Sequence, residues 1–208
     1  MKKIIAIAFA LNVIHVSAQK SFERGTNVIS AGADLGVYDY VSKINSSNLS
    51  STSKAANKSL SLQYERGIRN WLGFGEKVQW VYYFTKKDSI IGNKPSVKSF
   101  DGTIFLNVHF ARTTHFDMLA GFNLGYSQIN WEARDANISS ANGGGSVLDF
   151  HIQPRFYFGN HVGMFVNLSY LNYNYTNMDF TNSKSQVNDI LDLKGGGVNF
   201  GIGLQAKF

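Results

Sequence analysis

The chain has 208 residues, with 20 Gly, 2 Pro, no Cys, 14% aromatic and only 16% charged residues, and a formal net charge of +6. That length is one domain's worth of chain. The lack of cysteine removes a disulfide framework or thiolate metal site, and lysines scattered without an aromatic-interleaved basic stripe exclude a nucleic-acid-binding face. Soluble domains usually carry about 25% charged residues. A Gly-rich, aromatic-rich and Pro-poor chain suits many strands that share a crowded inner face.

Met1 to Ala18 starts with Lys2 and Lys3, continues with an apolar run from Ile4 to Leu11, and ends Val16-Ser17-Ala18. This is the pattern of a cleaved secretory signal, too short for a transmembrane anchor of about 20 apolar residues. Residues 1–18 are therefore expected to leave, with Gln19 as the mature N-terminus. No Cys follows the cleavage site, so a lipoprotein anchor is not expected.

Residues 19–208 then read as about eight strands, recognised by apolar and polar residues alternating with a period of two. In Thr26–Tyr38, Ile29, Ala31, Ala33, Leu35 and Val37 oppose Ser30, Gly32, Asp34 and Gly36. Asp39–Lys58, rich in Ser and Asn, reads as a long mobile loop. Ser59–Arg69 and Leu72–Phe84 form the next two strands, parted only by Asn70 and Trp71. Glu76 falls on the apolar face of the second of these, which suggests a bulge or an interfacial position. Thr85–Ser99 is a second polar loop. Phe100–Ala111 and Phe116–Trp131 are strands joined by a tight turn, followed by a loop Glu132–Gly145. Ser146–Phe158 and Val162–Tyr175 turn through Gly159-Asn160-His161, and Thr176–Leu193 is a fourth loop. Long polar loops thus alternate with turns of a few residues, and no helical period competes in the mature chain.

The last strand alternates without a break: Val198, Phe200, Ile202, Leu204, Ala206 and Phe208 against Asn199, Gly201, Gly203, Gln205 and Lys207. It resembles the closing strand of the bacterial outer-membrane β-barrels, the family of small OmpX/OmpA-like proteins, with Ala206 departing from the aromatic often found there. The resemblance covers nearly all of the mature chain. It implies an all-β, transmembrane up-and-down antiparallel barrel in the outer membrane of a Gram-negative bacterium. It further implies a monomer in outer-membrane lipid and lipopolysaccharide, and Phe200, Ile202, Leu204 and Phe208 as the signal read by the barrel-assembly machinery. An even strand number places both termini on the periplasmic side. No further domain is expected after the barrel.

Alternation alone also fits a soluble barrel with its apolar face inward. The opposite face is full of glycine (Gly32, Gly36, Gly73, Gly75, Gly121, Gly125, Gly201, Gly203), which suits a narrow lumen rather than a wet surface. Aromatic girdles favour the membrane reading. One rim is assigned Tyr38, Trp80, Tyr82, Tyr126 and Tyr170, with Trp131 just beyond; the other is assigned Phe74, Phe110, Phe116, Phe156, Phe158 and Phe208.

The inward face then carries Asp34, Glu65, Lys77, His109, Asp117, Asp149, His151 and Arg155. A lumen of this strand number is just wide enough for side chains to fill, and charges inside it must pair. The expectation is a satisfied polar plug, structural or gating. With Phe110 opposite Phe116, His109 falls opposite Asp117; with Ile68 opposite Leu72, Glu65 and Lys77 are diagonal neighbours. A catalytic alternative is His151 beside Ser169, with Asp149 two residues away, as in a lipid-modifying enzyme. No zinc spacing is present. The reading is a non-enzymatic barrel without cofactor or metal that presents long loops for adhesion, defence or membrane integrity. A narrow pore for small solutes is the main alternative, and an acyl hydrolase or transferase the lesser one.

Overall fold

The computed structural model describes residues 21–44, 49–85, 96–132, 139–182 and 187–208; the expected signal segment lies outside them. Eight strands run in chain order: β1 Asn27–Ile44, β2 Leu49–Arg69, β3 Leu72–Thr85, β4 Ser96–Arg112, β5 Phe116–Glu132, β6 Ser139–Tyr157, β7 Val162–Asn182 and β8 Val187–Lys207. Each pairs antiparallel with its sequence neighbours, and β1 also pairs with β8, so the sheet closes into a barrel with no free edge. The terminal residue takes part in the closure: the Phe208 and Asn27 backbones exchange two hydrogen bonds of 2.9 Å.

One end of the barrel carries the short turns, such as Asn70-Trp71 between β2 and β3; here it is called the turn end. At the opposite, hairpin end the strands run further than their alternation suggests. Asp39–Ile44 pairs with Leu49–Lys54, and Thr176–Asn182 and Val187–Leu193 belong to β7 and β8. The described parts of the four stretches read as loops are therefore paired strand; residues 45–48, 86–95, 133–138 and 183–186 lie outside the described residues. The physical reason is that alternation reports a contrast between an apolar and a polar environment. Where a hairpin rises clear of the apolar belt its outer face is wet, Ser and Asn are tolerated there, and the backbone ladder persists without a pattern to mark it.

The apolar face points outward. Leu35, Leu60, Ile104, Phe150, Leu168, Phe200 and Leu204 are all exposed. An apolar belt this continuous on a closed sheet belongs in hydrocarbon: water-soluble proteins rarely expose apolar patches beyond a few hundred Å², and closure satisfies every ladder group without water. Glu76 does not sit at a bulge. The register Tyr64–Glu76–Ile104 runs through it unshifted, and its side chain is exposed between Phe74 and Val78. The β2–β3 register shift lies instead at Gly67/Arg69, beside the turn.

The narrow lumen explains the inward glycines. A Cβ at Gly203 would overlap the ring of Phe165, and one at Gly75 would overlap Phe105. Each phenyl ring lies over the adjacent strand because its Cα partner there carries no side chain.

Candidate functional site

The inward face of every strand meets in a lumen packed in layers. At the turn end a segment before β1 folds beneath the barrel. Ser21 N–H donates to Thr113 O at 2.8 Å, Ser21 Oγ donates to Phe116 O at 3.0 Å, and Lys207 Nζ donates to Ser21 O at 3.2 Å. This places Phe22, fully buried, flat against the His109 imidazole, with centroids 3.5 Å apart and planes at 7°.

Above Phe22 lies an ionic layer drawn from four strands. Glu65 of β2 receives Arg155 Nη2 of β6 at 2.6 Å and His109 Nε2 of β4 at 2.9 Å. His109 Nδ1 meets Asp117 Oδ2 of β5 at 2.8 Å, and Arg155 Nη1 lies 3.9 Å from the same oxygen. Each imidazole nitrogen faces a carboxylate, so with both ring N–H groups donating the layer is neutral: two carboxylates, one guanidinium, one imidazolium. Asn107 donates to Glu65 at 2.9 Å and is bonded in turn to His151 at 3.0 Å. Phe105, Leu119 and Phe165 fill the bore alongside.

Towards the hairpin end, Asp149 is held by Lys77 at 3.5 Å and Asn123 at 2.6 Å. Asp34 accepts from Ser59 at 3.4 Å and Asn167 at 3.1 Å. Asp101 accepts from three hydroxyls, Ser99 at 3.0 Å, Ser127 at 2.5 Å and Tyr173 at 2.8 Å. The top is closed by Tyr38, Tyr40, Tyr83, Tyr173 and Tyr175, with neighbouring ring centroids about 6 Å apart, which is aromatic contact distance.

The residues assigned to the lumen all face it, and their partners follow the strand spacing only in part. His109 does bond Asp117, although the ladder pairs Asp117 with Arg112: a register shift between His109 and Ala111 intervenes, and the side chains bridge it. Glu65 and Lys77 are diagonal neighbours, yet each bonds across the bore instead. Tyr38 is not a girdle residue. It shares the inward parity of Asp34 and Gly36, is 2% exposed, and donates its hydroxyl to Asn199 at 2.9 Å. Trp131, half-buried, likewise packs against the inner cluster that contains these tyrosines. Trp80, Tyr82, Tyr126 and Tyr170 do face outward. Asp101 is a lumen residue that the alternation does not single out beside the polar stretch Thr85–Ser99, although its parity with His109 on β4 marks it as inward.

His151 and Ser169 are Cα partners on β6 and β7. They do not form a catalytic arrangement: His151 bonds Asn107, Asp149 bonds Lys77 and Asn123, and neither Ser169 Oγ nor His151 Nδ1 has a hydrogen-bond partner among the described residues. All three are buried inside the wall, away from the outer face where acyl chains lie.

No protein-family model and no curated protein matches the sequence. The fold is similar to that of solved barrels at low identity. The outer membrane protein OprG from Pseudomonas aeruginosa superposes with a TM-score of 0.66 at 13% identity, over 90% of this chain and 97% of that one. The outer membrane protein AlkL gives 0.60 at 13% identity, over 92% and 93%. The outer membrane protease OmpT from Escherichia coli gives 0.52 at 10% identity, over 93% and 99%. With the outward apolar belt, this shared fold makes the chain a transmembrane β-barrel of the outer-membrane type.

Proposed function

We propose that this chain is a non-enzymatic outer-membrane barrel whose lumen is a solid plug and whose working surface is the set of hairpins raised above the membrane, used in adhesion, defence or membrane integrity. The observation that carries the reading is the filling of the bore. From Phe22, through the Glu65–Arg155 layer, to the five tyrosines, inward side chains pack with one another, and among the described residues the lumen polar groups from Asp34 to Asn199 are buried rather than lining an open path. The described flanks of the hairpins have paired backbones, so that part of the surface enters an encounter already ordered and loses little conformational entropy on binding. The chain acts as a monomer in lipid and lipopolysaccharide, and the exposed Phe208, Leu204, Ile202 and Phe200 serve as its assembly signal.

Planar-bilayer recording tests the plug. The purified, folded protein is expected to leave the bilayer at its background conductance, whereas steady unitary steps would replace this reading with the narrow-pore one. Incubation with phospholipid and with casein is expected to release neither fatty acid nor peptide; release abolished by His151→Ala or Ser169→Ala would make it an enzyme.

A further inference from the structure

The sequence holds six arginines: Arg24, Arg66, Arg69, Arg112, Arg134 and Arg155. Arg155 lies inside the lumen. Four of the others, which look scattered along the chain, gather on one sector of the turn end. Arg24 and Arg69 line a hollow of about 500 Å³ together with Ile68, Asn70 and Trp71. Arg112 donates Nη1 to the Asn70 carbonyl of the same turn, and the Arg24 backbone N–H donates to Asn70 Oδ1 at 3.2 Å. Arg66 stands one turn of the pleat above Arg69, facing outward opposite Phe74. Arg24, Arg66 and Arg69 are exposed and Arg112 half-exposed. None makes an ion pair among the described residues: the lumen acids Glu65 and Asp117 are committed to Arg155 and His109, and the exposed Glu23 and Glu76, beside Arg24 and diagonal to Arg66, are not bonded to them. The hairpin end differs in kind: its described cations, such as Lys43, Lys54, Lys58 and Lys98, are lysines.

This sector straddles the edge of the apolar belt. Trp71 and Ile68 are exposed beside the hollow, and Phe74 and Phe110 continue upward on the lipid face. A cationic hollow with apolar walls at one edge fits a ligand that is anionic at its head and apolar in its body. Guanidinium presents a planar fork that holds phosphate oxygens two at a time, and a tryptophan beside it sits where a glycerol backbone meets the acyl chains. We propose that the arginine sector around the β2–β3 turn is a binding site for an anionic phospholipid of the leaflet facing the short turns. This rests on reading the chain as a membrane barrel with its turn end at a bilayer surface.

The test is native mass spectrometry of the folded barrel in a neutral detergent, titrated with phosphatidylglycerol or phosphatidylcholine. Heat-modifiability on a gel checks the barrel itself, so loss of the fold and loss of the site are told apart. Phosphatidylglycerol is expected to be retained preferentially. Arg66→Gln with Arg69→Gln should lower its apparent affinity roughly ten-fold or more, the scale expected when two interfacial cations are removed. Lys54→Gln with Lys58→Gln, at the far rim, should leave it unchanged. Should the double variant not fold, Arg69→Lys, which keeps the charge but loses the fork, should still weaken binding several-fold by the geometric argument. Equal retention of the two lipids, equal binding by the arginine variants, or full displacement by glycerol phosphate would each overturn the proposal; the last would mean that a free phosphate, not a lipid, is held.

Discussion

The Arg155 guanidinium crosses the bore of the barrel to reach Glu65 on the far wall, Nη2 to Oε2 at 2.6 Å. β2 and β6 are four strands apart in either direction around the ring, so this pair ties together parts of the sheet that no ladder connects. Both residues are almost fully buried. Removing one partner strands the other charge in a low-dielectric lumen, a loss of about 3–5 kcal/mol in comparable pairs. Glu65→Ala is therefore expected to lower the urea midpoint of the folded barrel steeply, and Glu65→Leu with Arg155→Met to lower it much less. Additive effects of the two sites in a double-mutant cycle would show that they do not act as a pair.

Phe22 is held on His109 by a segment that is not part of any strand. Phe22→Ala empties a fully buried site, and large-to-alanine changes of this type cost about 3–5 kcal/mol when the site cannot collapse. The lower end of that range is expected, since the segment can shift. Hydrogen exchange should show the effect first at the turn end, in β4 and β5, with the hairpin end unchanged. Uniform acceleration along all strands would contradict a local cap.

Gly203 sits against the Ala31 backbone carbonyl and the Phe165 ring, with no room for a methyl group. Gly203→Val overfills the bore and is expected to destabilise the barrel by about 1–3 kcal/mol. Combining it with Phe165→Leu should recover only the part of the loss that the ring causes, because the contact with the Ala31 carbonyl remains. A loss unchanged by Phe165→Leu would place the strain in the backbone rather than the lumen.

Trp80 is exposed on the lipid face, whereas Trp131 is half-buried against the inner cluster that contains the five tyrosines. In vesicles of brominated lipid, a variant retaining only Trp80 should be strongly quenched and one retaining only Trp131 should keep most of its fluorescence. The reverse order would turn the barrel inside out.

Glu76 faces the same lipid belt and makes no ion pair or side-chain hydrogen bond among the described residues. Charges on a lipid-facing strand destabilise a membrane barrel, acidic ones less than basic ones. Glu76→Leu should therefore raise the unfolding midpoint in lipid, by a smaller step than the losses above. A lower midpoint would mean that Glu76 has a partner in the membrane.

Strand identity, strand number and the contrast between faces were legible in the chain itself, because period-two alternation is a local property of neighbouring residues. Ile29 to Val37 and Val198 to Phe208 declare their faces unaided. Parity also fixes the face of Tyr38, which it shares with Asp34, and of Asp101, which it shares with His109. What alternation cannot carry is which side chain meets which across the bore. Arg155 with Glu65, Lys77 with Asp149 and Phe22 with His109 depend on closure, on strand tilt and on the register shift after His109. The hairpins were hidden for the opposite reason, since water on their outer face erases the contrast that marks a strand. Local chemistry decided which residues face the lumen; only the closed barrel, by bringing distant walls within side-chain reach, decided how they pair and how four scattered arginines come to share one rim.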